Sequence, residues 1–356
     1  MLKNRDYRID NVRAIAMICI ILAHCVAPSS INNLRSFDVI TLVFLSGLVF
    51  NVNRTYDFNT YQSSIKRRLI RLFLPTSIYI VLMSFFQFII YKVAGRSELL
   101  NIKTIINSFL LCENSIGYVW IMKVYFVNFL MSPLFVILIK KIKHIWQYLI
   151  LISVWFFVYI CCLNFYGVNA EHSYIAWILI HEWFLCCMFY LLIGLDSIFY
   201  KMNDIWRKYG ILFWGIVFIG TCFIYKNGFY FSPAIDKRPA GIQYLTYGML
   251  ITYLLMKLIP NKEFRIFTYI SVNSMDIYYA HTFVVFMMSC IQSILKINSN
   301  YFWAVQFVVA FFGSLLICNC LSIVKKKITS NKKLQIILLS EKNFEKETND
   351  NIRDNA

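Results

Sequence analysis

The sequence is poor in charge. Only 15% of its 356 residues are Asp, Glu, Lys or Arg, while 59% are hydrophobic and 18% aromatic. A soluble globular chain carries about a quarter of its residues charged. The length alone would suggest two or so soluble domains; the shortage of charge excludes them and points to a polytopic membrane protein whose apolar surface faces lipid as well as a core. Metal-site spacing is also missing. Nearly all of the eleven cysteines lie inside apolar runs: Cys19, Cys25, the pairs Cys161-Cys162 and Cys186-Cys187, Cys222, Cys290, Cys318 and Cys320. Adjacent cysteines do not have zinc-finger spacing and no histidine completes a set, so no metal is expected. They read as small apolar packing residues rather than a disulfide framework. No internal repeat stands out.

What charge there is has one sign in excess, at a formal +17. Such a balance can mark nucleic-acid binding. Here the basic residues form short clusters between apolar runs, where the positive-inside rule places them, and nucleic acid is not an expected partner.

A spanning helix needs about 20 mostly apolar residues. Ten segments qualify as candidates: 12–29, 37–52, 73–93, 118–140, 145–167, 174–200, 210–225, 240–259, 266–291 and 301–324. The second and seventh are short. The expected fold is therefore all-α, a polytopic membrane helix bundle of about ten transmembrane helices. With the N-terminus inside, about 25 Lys and Arg residues fall on the inner side, among them Arg5, Arg8, Lys66, Arg67, Arg68, Arg71, Lys140, Lys141 and the basic tail. About eight fall outside, including Arg35, Lys92, Lys103 and Lys296. This asymmetry predicts that both termini are inside. Residues 1–325 form the membrane domain, and the charged, Asn-rich stretch 326–356 reads as a cytosolic tail without stable structure. The run ending "LAHC" has the outline of a lipoprotein cleavage box, but His24 stands where a small residue normally precedes the cysteine, so the first helix is expected to be retained.

Ionisable side chains inside a span are costly and usually face the bundle interior. Arg13 and His24 lie in the first span, in "RAIAMICIILAHC". Eleven residues are close to three helical turns, so the two share a face, separated by about 16 Å of rise. A histidine can take and return a proton near neutral pH, and an arginine at the inner mouth can hold an anion. The bland alternative is a buried histidine bonded to a neighbouring helix. In "KRRLIRLFLP", Arg68 and Arg71 also share a face. Either they are only the basic flank of the third span, or their forked guanidinium groups hold phosphate. The ninth span, with "SVNSMDIYYAHTF", places Ser274, Tyr278 and His281 on one face. Lys123 in the fourth span and His181 and Glu182 in the sixth leave two readings open, a substrate pocket or an internal ion pair.

Taken in order, these segments resemble the integral-membrane acyltransferase family 3, ten-span proteins that acylate surface polysaccharides and related envelope sugars. The likeness covers about residues 5 to 325. It rests on Asp10 followed by Arg13-x10-His24, on Ser46-Gly47 in "VFLSGLVF", on Arg68-x-x-Arg71 before Pro75, on Trp120 in "GYVWIMKVYF", and on Ser274, Tyr278 and His281 in "NSMDIYYAH". The family more often has Trp-Phe-Leu where this chain has "WIM", with Lys123 following. Many members carry a further extracytoplasmic hydrolase-like domain that is not recognisable here, so nothing about peptidoglycan acylation through such a domain carries over.

The resemblance implies transfer of an acyl group, usually acetyl, from cytosolic acyl-CoA to a hydroxyl of a surface polysaccharide or lipid-linked sugar. It implies His24 as the catalytic base, or as the site of an acyl-histidine intermediate, with Arg13, Arg68 and Arg71 holding acyl-CoA. Asp10, Ser46, Trp120, Lys123, His181, Glu182, Ser274, Tyr278 and His281 are supporting or acceptor-site candidates. Expected partners are acyl-CoA, the sugar acceptor and the lipid bilayer. The family and the Lys-, Asn- and Ile-rich usage point to the plasma membrane of a bacterium. Two other readings compete: an exporter of polysaccharide or lipid-linked sugar, which needs no CoA site, and a non-catalytic scaffold, for which His24 would be replaceable.

Overall fold

The computed structural model describes residues 5–50, 58–93, 101–112, 115–169, 174–224, 229–234, 240–297 and 301–330. Among them only helices form as extended elements. In chain order these are α1 (Tyr7–Ala23), α2 (Ser29–Leu34), α3 (Asp38–Leu48), α4 (Phe58–Val93) and α5 (Ile102–Phe109), then a 3₁₀ turn at Ile116–Tyr118. There follow α6 (Ile121–Lys140), α7 (Ile145–Asn169), α8 (Tyr174–Trp177), a π-helical segment at Ile178–Leu185, and α9 (Cys186–Met202). The chain continues with α10 (Asp204–Ile224), α11 (Ile242–Leu258), α12 (Arg265–Val272), α13 (Ser274–Ile294) and α14 (Phe302–Ser330).

Every one of the ten apolar segments is helical, and the protein is a polytopic helical bundle. Among the described residues, six helical stretches are long and apolar enough to cross a membrane: Tyr61–Val93, Ile116–Lys140, Ile145–Phe165, Tyr174–Met202, Ser274–Ile294 and Phe302–Ile323. They carry large apolar side chains on their outer faces, such as Phe85 (60% exposed), Phe157 (68%) and Leu316 (67%). Such surface is tolerable in lipid and would be a liability in water.

The segment boundaries depart from the hydropathy reading in four places. The first apolar segment, expected over 12–29, is helical over Tyr7–Ala23 and ends before Pro28. Asp6 begins it by accepting the Arg8 backbone N–H at 3.0 Å, which caps the helix ahead of the apolar run. The second, expected over 37–52, yields only the 11 residues of α3, about 16 Å at 1.5 Å per residue. Every residue of α3 except Ser46 is buried, so it is a core helix hidden among its neighbours. The third starts far earlier than residue 73, because the basic stretch before it continues the same helix from Phe58 through Pro75. The ninth breaks at Asn273 (φ −100°, ψ 19°) into α12 and α13. The Asn273 side chain bonds the Tyr269 carbonyl at 2.9 Å, which offers the backbone a local alternative to continuing the helix. Residues 51–52 and 225 of the expected spans lie outside the described residues, as does the tail from 331 onward; α14 itself runs to Ser330, past the expected boundary at 325.

One compact unit spans Met1–Ser274. Within it α3 and α6 pack on α9, α10 packs on α11, and α1 packs on α12 and α3. The approach of α3 to α9 depends on Gly47. A Cβ added there would lie 1.8 Å from Ser197 Oγ and 3.3 Å from the Gly194 carbonyl oxygen. A buried carboxylate gathers four helices: Asp196 of α9 accepts from Tyr148 of α7 at 2.7 Å, Trp206 of α10 at 3.1 Å and Tyr253 of α11 at 2.6 Å. In a water-free setting a carboxylate needs such donors, because each unmet polar group is costly.

The second unit begins at Met275. There Gln306 of α14 donates to the Val285 carbonyl at 3.3 Å and to Ser289 Oγ at 3.1 Å, both on α13. Gly313 lets the same two helices approach, with Val284 3.3 Å from where a Cβ would sit.

Candidate active site

Helix α1 ends at the histidine that the sequence singles out. His24 is the C-cap (φ −95°, ψ 0°), its backbone N–H bonded to the carbonyls of Ile21 and Leu22. Its imidazole therefore stands at the end of the helix, and is half-buried. The Tyr118 ring stacks on it, with centroids 4.0 Å apart and planes 22° from parallel. The chain leaves α1 through Val26, whose φ of 49° is a rare conformation for a β-branched residue.

Tyr118 is delivered by a strained turn. Gly117 (φ 66°) and Tyr118 (φ 58°) are both left-handed. The turn is held on the far side by Ser108, whose Oγ accepts the Ile116 N–H at 2.7 Å. Glycine is required at 117 for space as well as conformation, since a Cβ there would lie 2.1 Å from the Tyr79 hydroxyl of α4.

Immediately after this turn, Lys123 lies in the first turn of α6. It is fully buried and donates to Glu182 Oε2 at 3.3 Å, with its ammonium 5.7 Å from the centre of the Trp183 ring. Glu182 belongs to the π-helical segment, a distortion frequent at functional sites. Trp183 Nε1 donates to the Leu110 carbonyl at 3.0 Å, and the Tyr174 hydroxyl bonds Asn107. The pair and these two bonds tie the start of α6 and the end of α5 to α8 and the π-helical segment that follows it. His181, on the same segment, has an Nε2 shielded from solvent that meets no hydrogen-bond partner among the described residues.

In the N-terminal half of α1, Arg13 donates through Nη1 to Ser271 Oγ at 3.0 Å and lies 3.8 Å from Asp10 Oδ1. Asp10's shorter bonds come from Arg5 at 2.6 Å and from Ser271 at 2.6 Å. Burial pushes the Asp10 carboxyl up, but the hydrogen bonds from Arg5 and Ser271 and the charges of Arg5 and Arg13 outweigh it. The carboxyl ends below the usual carboxylate range. Arg13 and Asp10 thus pair within α1, joined by the Ser271 hydroxyl of α12, which the sequence did not single out.

Arg68 lies with its guanidinium carbon 4.5 Å from the centre of the Phe129 ring of α6, and Arg71 is exposed one turn further on. Ser46 bonds its own helix at the Val43 carbonyl (2.6 Å), and the Gly47 beside it serves the α3–α9 approach. Trp120 sits 5.6 Å from the Tyr190 ring. Tyr278 and His281 share one face of α13, as their spacing predicts. Their rings meet edge-on at 5.2 Å, and His281 Nδ1 faces the Ile277 carbonyl at 3.2 Å. Ser274 opens the same helix. Among the described residues no three His, Cys, Asp or Glu side chains gather as a metal ion would require.

Three partners escaped the sequence reading. Ser271 lies in a stretch already notable for its polarity, and Asp196 interrupts the apolar run "LLIGLDSIFY", so a search for every intramembrane acid would have found it. Tyr118 had no such signal beyond the glycine before it.

The arrangement puts the His24 imidazole at the C-terminal end of α1, and the guanidinium groups of Arg5 and Arg13 around Asp10 in its N-terminal half. No curated protein and no solved structure gives a significant match to the chain. A family model described as an acyltransferase domain matches residues 6–323, from the cap of α1 into α14. The protein therefore belongs to acyltransferase family 3 and is a multi-pass membrane transferase of acyl groups.

Proposed function

We propose that the protein is a membrane O-acyltransferase, with acetyl the expected cargo. It would take the acyl group from acyl-CoA on the cytosolic side and deliver it to a hydroxyl of a surface polysaccharide or lipid-linked sugar on the other side. The membrane is the plasma membrane of a bacterium, both termini are cytosolic, residues 1–325 are catalytic, and 326–356 are a tail. The observation that carries this reading is the single helix α1, with Arg13 in its N-terminal half and His24 capping its C-terminal end.

In this mechanism the nucleotide end of acyl-CoA stays on the cytosolic side, held by Arg13 and by Arg68 and Arg71, whose forked donors suit phosphate. The pantetheine arm reaches along the helix toward His24, across about 16 Å of rise. The His24 imidazole takes the proton of the acceptor hydroxyl as its oxygen attacks the thioester carbonyl. The carbon–sulfur bond breaks, CoA leaves as thiolate, and the imidazolium returns the proton to it. The products are the ester and CoA thiol. Asp10 and Ser271 would orient Arg13. Lys123, Glu182 and His181 would support the start of α6, and Ser274, Tyr278 and His281 remain acceptor-site candidates.

The test is the O-acetyl content of the host's surface polysaccharide, measured by NMR in a strain lacking the protein, one restored with wild type and one restored with His24→Ala at matched level. Restoration by wild type alone supports the reading. Full restoration by His24→Ala removes the base assignment. A change in the amount of polysaccharide without a change in ester overturns acyl transfer in favour of export.

A further inference from the structure

We infer that Tyr118 is a positioning residue for His24: the left-handed Gly117–Tyr118 turn presses the phenol ring flat on the imidazole and fixes the direction in which its nitrogen takes a proton. The inference rests on the reading of His24 as the base. His24 closes α1 in a non-helical conformation (φ −95°, ψ 0°), so the helix period does not set the direction of its ring, and the groups packed on it do. Here the stacked ring lies 4.0 Å away and 22° from parallel.

The stack is built at a conformational cost. Left-handed φ values occur at Val26, two residues after His24, and at Tyr118 itself. Non-glycine residues held so are strained, and such strain clusters at functional sites. The surroundings over-determine the turn. Ser108 holds Ile116 from behind, and the Tyr79 hydroxyl closes the space over Gly117. Two residues past the turn α6 begins, and its Lys123 is anchored to Glu182. A turn needed only to connect α5 with α6 would be relieved by Asn or Gly at 118, both of which adopt this conformation readily. Tyrosine does not, and its ring is the part that touches His24. The acceptor's proton must be met by one nitrogen at hydrogen-bond range. A misplacement of about 1 Å at such a site can cost about 100-fold.

The experiment uses membranes from the host strain lacking its own copy, supplied with wild type, His24→Ala, Tyr118→Phe, Tyr118→Leu or Tyr118→Asn at matched levels. Labelled acetyl-CoA is given at varied concentration, and alkali-labile label in the polysaccharide is followed. The Asn variant removes the ring while suiting the backbone, so its melting temperature should equal or exceed that of wild type. Its maximal rate should nevertheless fall by about 10- to 100-fold, with the KM for acetyl-CoA within about twofold. Tyr118→Leu should lose rate similarly, and Tyr118→Phe, which keeps the stack, should retain most of it.

A wild-type maximal rate in whichever of the Asn and Leu variants accumulates overturns the inference. So does a loss confined to KM, or a Phe variant as slow as Asn. Should His24→Ala transfer at the wild-type rate, the base reading fails and this inference with it. An inactive His24→Ala beside a fully active Tyr118→Asn sinks the role of Tyr118 alone.

Discussion

Lys123 and Glu182 form an ion pair at 3.3 Å between the first turn of α6 and the π-helical segment, with side chains 0% and 4% exposed. Two charges so deeply buried are kept by one another. Removing one partner leaves the other uncompensated, whereas removing both does not. Lys123→Met and Glu182→Gln should each destabilise the detergent-solubilised protein by about 3–5 kcal/mol, and the double variant should recover most of the loss in thermal melts. A double variant as unstable as the sum of the singles would show that each residue acts through other neighbours.

His24→Ala should leave CoA binding unchanged and lower acyl transfer by about 10²–10⁴, the usual worth of a positioned base. Binding of CoA to the purified protein and label transfer from acetyl-CoA separate the two effects. Weaker CoA binding in this variant would mean that His24 contacts the donor in the ground state.

Arg68→Ala should weaken CoA binding, and Arg68→Lys should restore it only in part, because an ammonium lacks the planar fork that matches phosphate and stacks on Phe129. Equal CoA affinity in wild type and Arg68→Ala would remove Arg68 from the donor site and leave it as a stacking cation on α6.

Asp10 lies ahead of the first apolar run, and its carboxyl is held below the usual carboxylate range. A depressed carboxyl contributes stability that is fully present above its unfolded pKa of about 3.9 and is lost as pH falls through the folded value. Melting temperature should therefore fall at acid pH, below about pH 4. In Asp10→Asn the melting temperature should already be lower at neutral pH and the acid limb flatter. An unchanged acid limb in that variant would assign acid sensitivity to other carboxylates.

Gly47→Ala should destabilise the protein by about 1–3 kcal/mol, the usual cost of overpacking, because the new methyl group meets Ser197 Oγ at 1.8 Å. Adding Ser197→Ala should recover part of that loss in thermal melts. No recovery would mean that the Gly194 carbonyl, 3.3 Å from the same point, sets the limit.

Much of the fold was legible because lipid and protein core demand the same thing of a helix, a run of apolar residues. That also explains what was not legible. The apolar run over 37–52 looks like a span, yet α3 is 11 residues long and buried among neighbours; hydropathy cannot tell a lipid-facing helix from a hidden one. The break at Asn273 lay within the stretch whose polarity was noticed, but an asparagine bonding its own backbone is one of several outcomes open to that side chain. Within the candidate site, Arg13 and His24 were singled out because an arginine and a histidine interrupt one apolar run; that His24 caps the helix rather than lying in it was not readable from spacing. The Arg13–Asp10 pair is local and was equally readable, while the Ser271 hydroxyl that bonds both comes from a distant helix.

By itself, then, the sequence determined the helical segments, their membrane setting, the family, and the sharing of a face by residues within one helix, since these depend on local hydrophobicity and on the 3.6-residue period. Only the tertiary structure decided that Tyr118 covers His24, that Glu182 answers Lys123, and that Asp196 collects hydroxyls and an indole from three helices. Apolar burial is non-directional and assigns no partners. Partners are chosen where helix packing brings particular polar groups within hydrogen-bond range, and that range is a few ångströms in a bundle whose chain connections run over many residues.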